Sequence, residues 1–152
     1  MIRLIRTDSG NRDFIQLVNK LDADLAERDG EEHLFYSRFN KIDLIRHVVL
    51  AYLDDTAISC GAIKKYDQKT MEIKRMFTRP ENRGKGTAGL ILDELENWAS
   101  ELNFEKCILE TGKRQAEAIS LYTKSGYAIT PNYGQYAGIE NSVCFRKDLN
   151  KI

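Results

Sequence analysis

At 152 residues the chain has the length of one domain, and it can bury enough surface to fold without a disulfide or a structural metal. Lysine plus arginine equals aspartate plus glutamate at 23 each, and a formal net charge of zero argues against electrostatic steering to nucleic acid or anionic membrane. With 42% apolar and 30% charged residues the composition is that of an ordinary globular protein.

Residues Ile2 to Arg6 alternate apolar and polar side chains, the pattern of an edge strand. They show neither the apolar core nor the cleavage site of a signal peptide, and no run reaches the length of a membrane span. A cytoplasmic protein is the expectation. Phe14, Leu17, Val18, Leu21 and Leu25 then recur at spacings of three and four, which predicts a helix with one apolar face, ended at Asp29-Gly30. Residues 31–41 have no firm pattern, although Phe35, Tyr36 and Phe39 would suit a pocket cover or a short packed helix.

Three strands follow as an antiparallel meander: His47 to Leu53, Thr56 to Tyr66 and Thr70 to Thr78, with turns at Asp54-Asp55 and Asp67–Lys69. A polar, Gly-bearing loop from Arg79 leads into a helix whose Ala88, Ile91, Leu92, Leu95, Trp98, Ala99 and Leu102 hold helical period. Then come a strand at Glu105–Glu110, a short helix at Ala116–Ser125 stopped by Gly126, a strand from Tyr127 to Thr130, an aromatic loop at Tyr133–Tyr136 and a last strand at Ser142–Lys147. This order predicts an α/β (α+β) domain over residues 1–152: a mixed, mostly antiparallel sheet flanked by helices, with one βαβ crossover. Cys60, Cys107 and Cys144 are far apart in apolar stretches and read as reduced core thiols.

The chemistry concentrates at Arg83-Gly84-Lys85-Gly86-Thr87-Ala88. The segment Gly84 to Gly89 satisfies GxGxxG, yet its glycines lie well past the strand and the preceding strands form hairpins, which speaks against a dinucleotide fold. The wider physical reading stands. Unpaired amides at a helix start, glycines that admit a bulky anion and the charges of Arg83 and Lys85 suit a pyrophosphate; a flexible loop with two solvated cations is the bland alternative.

Arg83-x-x-Gly86-x-Ala88 resembles the R/Q-x-x-G-x-G/A signature of the GNAT superfamily of N-acetyltransferases. Gln115-x-x-Ala118-Ile119-x-x-Tyr122-x-x-x-Gly126-Tyr127 resembles the same family's N-x-x-A-x-x-x-Y-x-x-x-G-F segment, with Gln115 for Asn and Tyr127 for Phe. The resemblance spans roughly residues 45–149. It implies acetyl-CoA as co-substrate, no metal, and a splay between the strands at 70–78 and 105–110. It places the pyrophosphate on the backbone of residues 83–88 and the pantetheine arm along Met76, Phe77 and Thr78, with Gln115 and Ala118 nearby. A backbone N–H of Met76 or Phe77 would meet the oxyanion.

The resemblance carries Tyr122 into the role of general acid, suited by a phenol pKa of about 10. Glu72 is the first candidate base, since it lies four residues before Met76 on the strand and so points to the same sheet face. Glu110 is the second candidate, and water is a third. Tyr133 and Tyr136, with Phe35 and Tyr36, are candidates for lining an acceptor pocket. The implied activity is acyl transfer to a primary amine of a small molecule or protein, by an enzyme that is a possible homodimer; nucleic acid and membrane are not expected partners. The alternative is an inactive coenzyme-A sensor or interaction domain of the same fold.

Overall fold

Side-chain alternation, continuous apolar runs and turn residues sort the described residues into seven strands and three α-helices. The computed structural model describes residues 1–29 and 45–149. The elements are β1 (Ile2–Thr7), α1 (Arg12–Asp29), β2 (His47–Leu53), β3 (Thr56–Lys65), β4 (Thr70–Thr78), α2 (Thr87–Glu101), β5 (Lys106–Gly112), α3 (Ala116–Lys124), β6 (Ala128–Thr130) and β7 (Ser142–Asp148). Gly30 and the aromatic cluster of Phe35, Tyr36 and Phe39 lie outside the described residues.

The sheet has seven strands in the order β1-β2-β3-β4-β5-β7-β6. All neighbouring pairs are antiparallel except β4 and β5, which the α2 crossover joins in parallel. Strand β2, His-Val-Val-Leu-Ala-Tyr-Leu, is a continuous apolar run from Val48 onward because helices cover both its faces. On one side, Phe14, Leu17, Val18 and Leu21 of α1 pack on Val48, Leu50, Cys60 and Phe77. On the other, Ile91, Leu92, Leu95 and Ala99 of α2 pack on Val49, Ile73, Leu109 and Phe145. A fully buried valine, leucine, isoleucine or phenylalanine among them contributes about 2 kcal/mol of transfer free energy.

Local chemistry sets the ends of the elements. Asn11 starts α1 by accepting the amides of Asp13 and Phe14 at 2.9 and 3.1 Å. Gly126, at φ 93°, ends the turn after α3, and the Tyr127 amide closes back on the Tyr122 carbonyl at 3.0 Å. Tyr127 is therefore part of that closure, and β6 begins one residue later than its sequence pattern suggests. Strand β5 likewise begins after Glu105, whose amide bonds to the Lys69 carbonyl in the turn between β3 and β4. The three cysteines are buried free thiols. Among the described residues no helix is long and apolar enough to cross a membrane.

Candidate active site

The site begins where the sheet comes apart. Strands β4 and β5 pair only at Thr70, Met71 and Glu72 with Lys106, Cys107 and Ile108. Beyond Glu72 both strands continue, β4 to Thr78 and β5 to Gly112, without pairing to each other. The edge of β4 that would face β5 is therefore open over its C-terminal half.

A bulge in β4 sharpens this opening. Cys60 pairs with Phe77 and Ala62 with Lys74, so Arg75 and Met76 together oppose Gly61. Arg75 sits at φ 61°, a left-handed conformation uncommon outside glycine. Gly61 is what admits the bulge: a Cβ there would lie 2.5 Å from the Met76 sulfur and within 2.9 Å of Ile91 and Leu95. The extra residue shifts the alternation of side chains. Met76 joins Met71 and Ile73 against the core beneath α2, whereas Glu72 alternates with those residues and turns to the α1 side. The expectation that Glu72 and Met76 share a sheet face is thereby corrected, because it assumed a regular strand.

On one side of the opening runs a groove of about 580 Å³. Met76, Phe77 and Thr78 form one wall, Gln115, Ala118 and Tyr122 of the α3 region form the other, and Arg83, Gly84, Gly86, Thr87 and Ala88 close one end. Gly84 and Gly86 have φ of 76° and 83°, and an added Cβ at either would meet nothing within 4 Å. Bare backbone thus faces open space at the start of α2, whose first amides have no acceptor within their own helix. Arg83 is also structural. Its Nε donates to the Thr78 carbonyl at 2.8 Å and its Nη2 lies 3.9 Å from Asp24, fastening the loop to β4 and α1. Lys85 is exposed and does not line the groove.

The second space is a hollow of about 120 Å³ between the parted strands and α1. It brings together Glu72, Lys74 and Arg75 from β4, Glu110 from β5 and Tyr136 from the aromatic loop. Glu72 accepts from the Tyr133 hydroxyl at 2.7 Å and has Lys74 Nζ 3.9 Å away. Burial, and then the Glu72 carboxylate, push the Tyr133 phenol far above its ordinary range. Burial also lowers the Lys74 pKa, against the opposing pull of Glu72. Glu110 accepts from Ser142 at 2.6 Å. Tyr133 stands edge-on to Tyr136, with centroids 5.7 Å apart.

Groove and hollow share Leu21, Met76, Gln115, Ala118 and Tyr122. Tyr122 is 6% exposed, and its ring packs against Tyr127 and Phe145. Burial, followed by the Glu110 charge, raises its pKa, so the phenol stays protonated at neutral pH. The predicted residues Glu72, Glu110, Tyr122, Gln115, Ala118 and those at 76–78 are thus gathered along one continuous cleft. Sequence reasoning missed Leu21 and Leu25 of α1, which read as plain core positions. It also missed Lys74 and Arg75, which only the bulge brings to the same cavity. Among the described residues no cluster of three or more His, Cys, Asp or Glu is placed to hold a metal ion.

Known proteins resemble this chain in sequence and architecture. A family model for the acetyltransferase (GNAT) family matches residues 14–127. An IAA acetyltransferase of Azospirillum brasilense is 31% identical over 139 residues, covering 89% of this chain and 90% of that protein. A solved structure from Klebsiella pneumoniae, assigned by name to the acyl-CoA N-acyltransferases, superposes with a TM-score of 0.83 at 26% identity over 99% of both chains. A GNAT family acetyltransferase of Elizabethkingia anophelis, solved with acetyl-CoA bound, has the same fold at a TM-score of 0.68 and 18% identity, over 97% of this chain and 98% of that one. The chain belongs to the GNAT acetyltransferase family and is an acyltransferase.

Proposed function

We propose that the protein transfers an acetyl or other short acyl group from acetyl-CoA to a primary amine, by direct attack of the amine, with Tyr122 as general acid. One observation carries the reading: a buried Tyr122 lines both the groove and the carboxylate-bearing hollow, where donor and acceptor would meet. The residues of the groove fit the donor. Its open glycine backbone at the start of α2 suits a pyrophosphate, and the unpaired edge at Met76–Thr78 suits an extended amide-bearing arm.

Bound acetyl-CoA supplies a thioester, an acyl group on a competent leaving group. The protein's own groups then have three tasks. The Met76 or Phe77 amide, on the open edge, donates to the carbonyl oxygen as negative charge builds there. Glu72, directly or through water, accepts the proton that the amine sheds as its nitrogen bonds to the acyl carbon; Glu110 is the other carboxylate in reach of the hollow. Tyr122 gives its proton to the sulfur as the carbon–sulfur bond breaks.

The test is free-thiol release from acetyl-CoA across a panel of primary amines on small molecules and peptides, for the wild type and Glu72→Gln. The reading expects amine-dependent release and a loss in Glu72→Gln that alkaline pH restores. Binding of acetyl-CoA without release by any amine would leave the coenzyme-A sensor instead.

A further inference from the structure

The hollow holds a cation that the transfer chemistry does not use. Arg75 is 6% exposed, yet its Nε has no hydrogen-bond partner among the described residues. Its Nη1 is taken by Asp22 of α1 at 2.8 Å. A buried N–H left unpaired is destabilising, and the left-handed backbone at Arg75, φ 61°, adds strain. The bulge also breaks the alternation that would send neighbouring side chains to opposite faces. Lys74 and Arg75 consequently line one cavity, together with Glu72 and Glu110.

From this geometry we propose that the acceptor carries a carboxylate as well as its amine, and that Arg75 binds that carboxylate. The unpaired Nε–H, with the adjoining Nη2, forms a side-on guanidinium edge buried at the wall of the hollow, which a turn of the side chain would present to two carboxylate oxygens in one plane. Lys74 adds positive charge on the same wall, while Glu72 and Glu110 hold the amine end. Both ends fall within one hollow of about 120 Å³, so the two groups belong to one small amino-carboxylate. Asp22 keeps the guanidinium from being a wholly unpaired buried charge.

This rests on the transfer reading for its site, but binding tests it separately. Standard L-α-amino acids and straight-chain ω-amino acids, each beside its carboxamide, are titrated calorimetrically into the protein saturated with coenzyme A. The same pairs are assayed for thiol release from acetyl-CoA. The best amino acid should bind and react about 10- to 100-fold better than its carboxamide, the discrimination expected of a charge-assisted contact. Arg75→Gln, with its fold checked by thermal unfolding, should bring the pair within about 3-fold. Asp22→Asn removes the competing carboxylate, so it should tighten amino-acid binding, and it decides the matter if Arg75→Gln does not fold. Equal handling of acid and carboxamide, a preference that survives Arg75→Gln, or Asp22→Asn binding no tighter than wild type would overturn the proposal. Release driven by carboxylate-free amines at equal rate would overturn the subsite and keep the transfer reading. Arg75-dependent binding without thiol release would do the reverse. Binding of no panel member would reject the subsite outright.

Discussion

Tyr122→Phe removes one oxygen from the place where groove and hollow meet, and its effects on stability and rate should separate. The ring is 6% exposed and keeps its contacts, 5.9 Å between centroids, with both Tyr127 and Phe145. Loss of the hydroxyl alone should change stability by no more than about 1 kcal/mol, or about 3 °C in a domain of this size. A positioned general acid contributes about 10²- to 10⁴-fold. A thiol titrates near pH 8.5, far below an alcohol, so a thiolate leaves with less help and the lower end of that range applies. The expectation is a fall in kcat of about 100-fold, near 2.7 kcal/mol on the barrier, with the acetyl-CoA KM little changed. The pH dependence adds a second check. Burial and Glu110 hold the phenol above its ordinary pKa, so wild-type Tyr122 is protonated throughout pH 6–9 and the ratio of wild type to variant should be flat there. Thiol-release kinetics across that range, with a thermal melt as control, measure all three quantities. An unchanged kcat, a change confined to KM, or a deficit that disappears at alkaline pH would refute the assignment.

Gly61→Ala would drive a methyl group to 2.5 Å from the Met76 sulfur and 2.8 Å from Ile91, so urea unfolding should show a loss of about 1–3 kcal/mol, with kcat falling as Met76 shifts. Lys147→Met leaves the buried Glu96 carboxylate with Tyr127 but without its ammonium partner at 2.8 Å. Lys147 is partly exposed, so the expected cost is about 2 kcal/mol, or about 4–8 °C in a thermal melt. His47 lies edge-on to Trp98, and burial, then Arg46, lower its pKa below the usual 6.5. Its neutral form is favoured in the folded state, so its stabilisation is complete above pH 6.5 and is lost as pH falls from there through the folded pKa. His47→Gln should flatten that part of the stability profile.

Periodicity made most of the fold legible. The meander from His47 to Thr78, the α2 crossover and the short helix ended by Gly126 stand nearly where their patterns put them, because each repeats a simple physical rule of burial or turn chemistry. The insertion of β7 between β5 and β6 was not legible, since strand order depends on which edges meet rather than on any local pattern. The cleft divides in the same way. Tyr122 and the glycine loop follow from spaced motifs, and both line it. The bulge at Arg75 could not be read from Lys-Arg-Met in a strand, because the Gly61 that permits it lies in the neighbouring strand. That one displaced residue moved Glu72 off the face of Met76 and brought Arg75 into the hollow. Arg83 was legible as a cation, but its bond to the Thr78 carbonyl depends on the loop's tertiary path.

The most direct test of the account is calorimetric titration with acetyl-CoA of the wild type and of Gly86→Val, with NAD as the comparison ligand. Gly86 has φ 83° and nothing within 4 Å of an added Cβ, so the substitution places a branched side chain in open groove rather than in the core. It should cost about 1–2 kcal/mol of backbone strain while the fold persists. The account predicts saturable binding of one acetyl-CoA to the wild type, no binding of NAD, and at least about a tenfold loss of acetyl-CoA affinity in Gly86→Val. Absence of acetyl-CoA binding, or equal affinity in the variant, would contradict the placement of the donor on the Arg83–Ala88 loop.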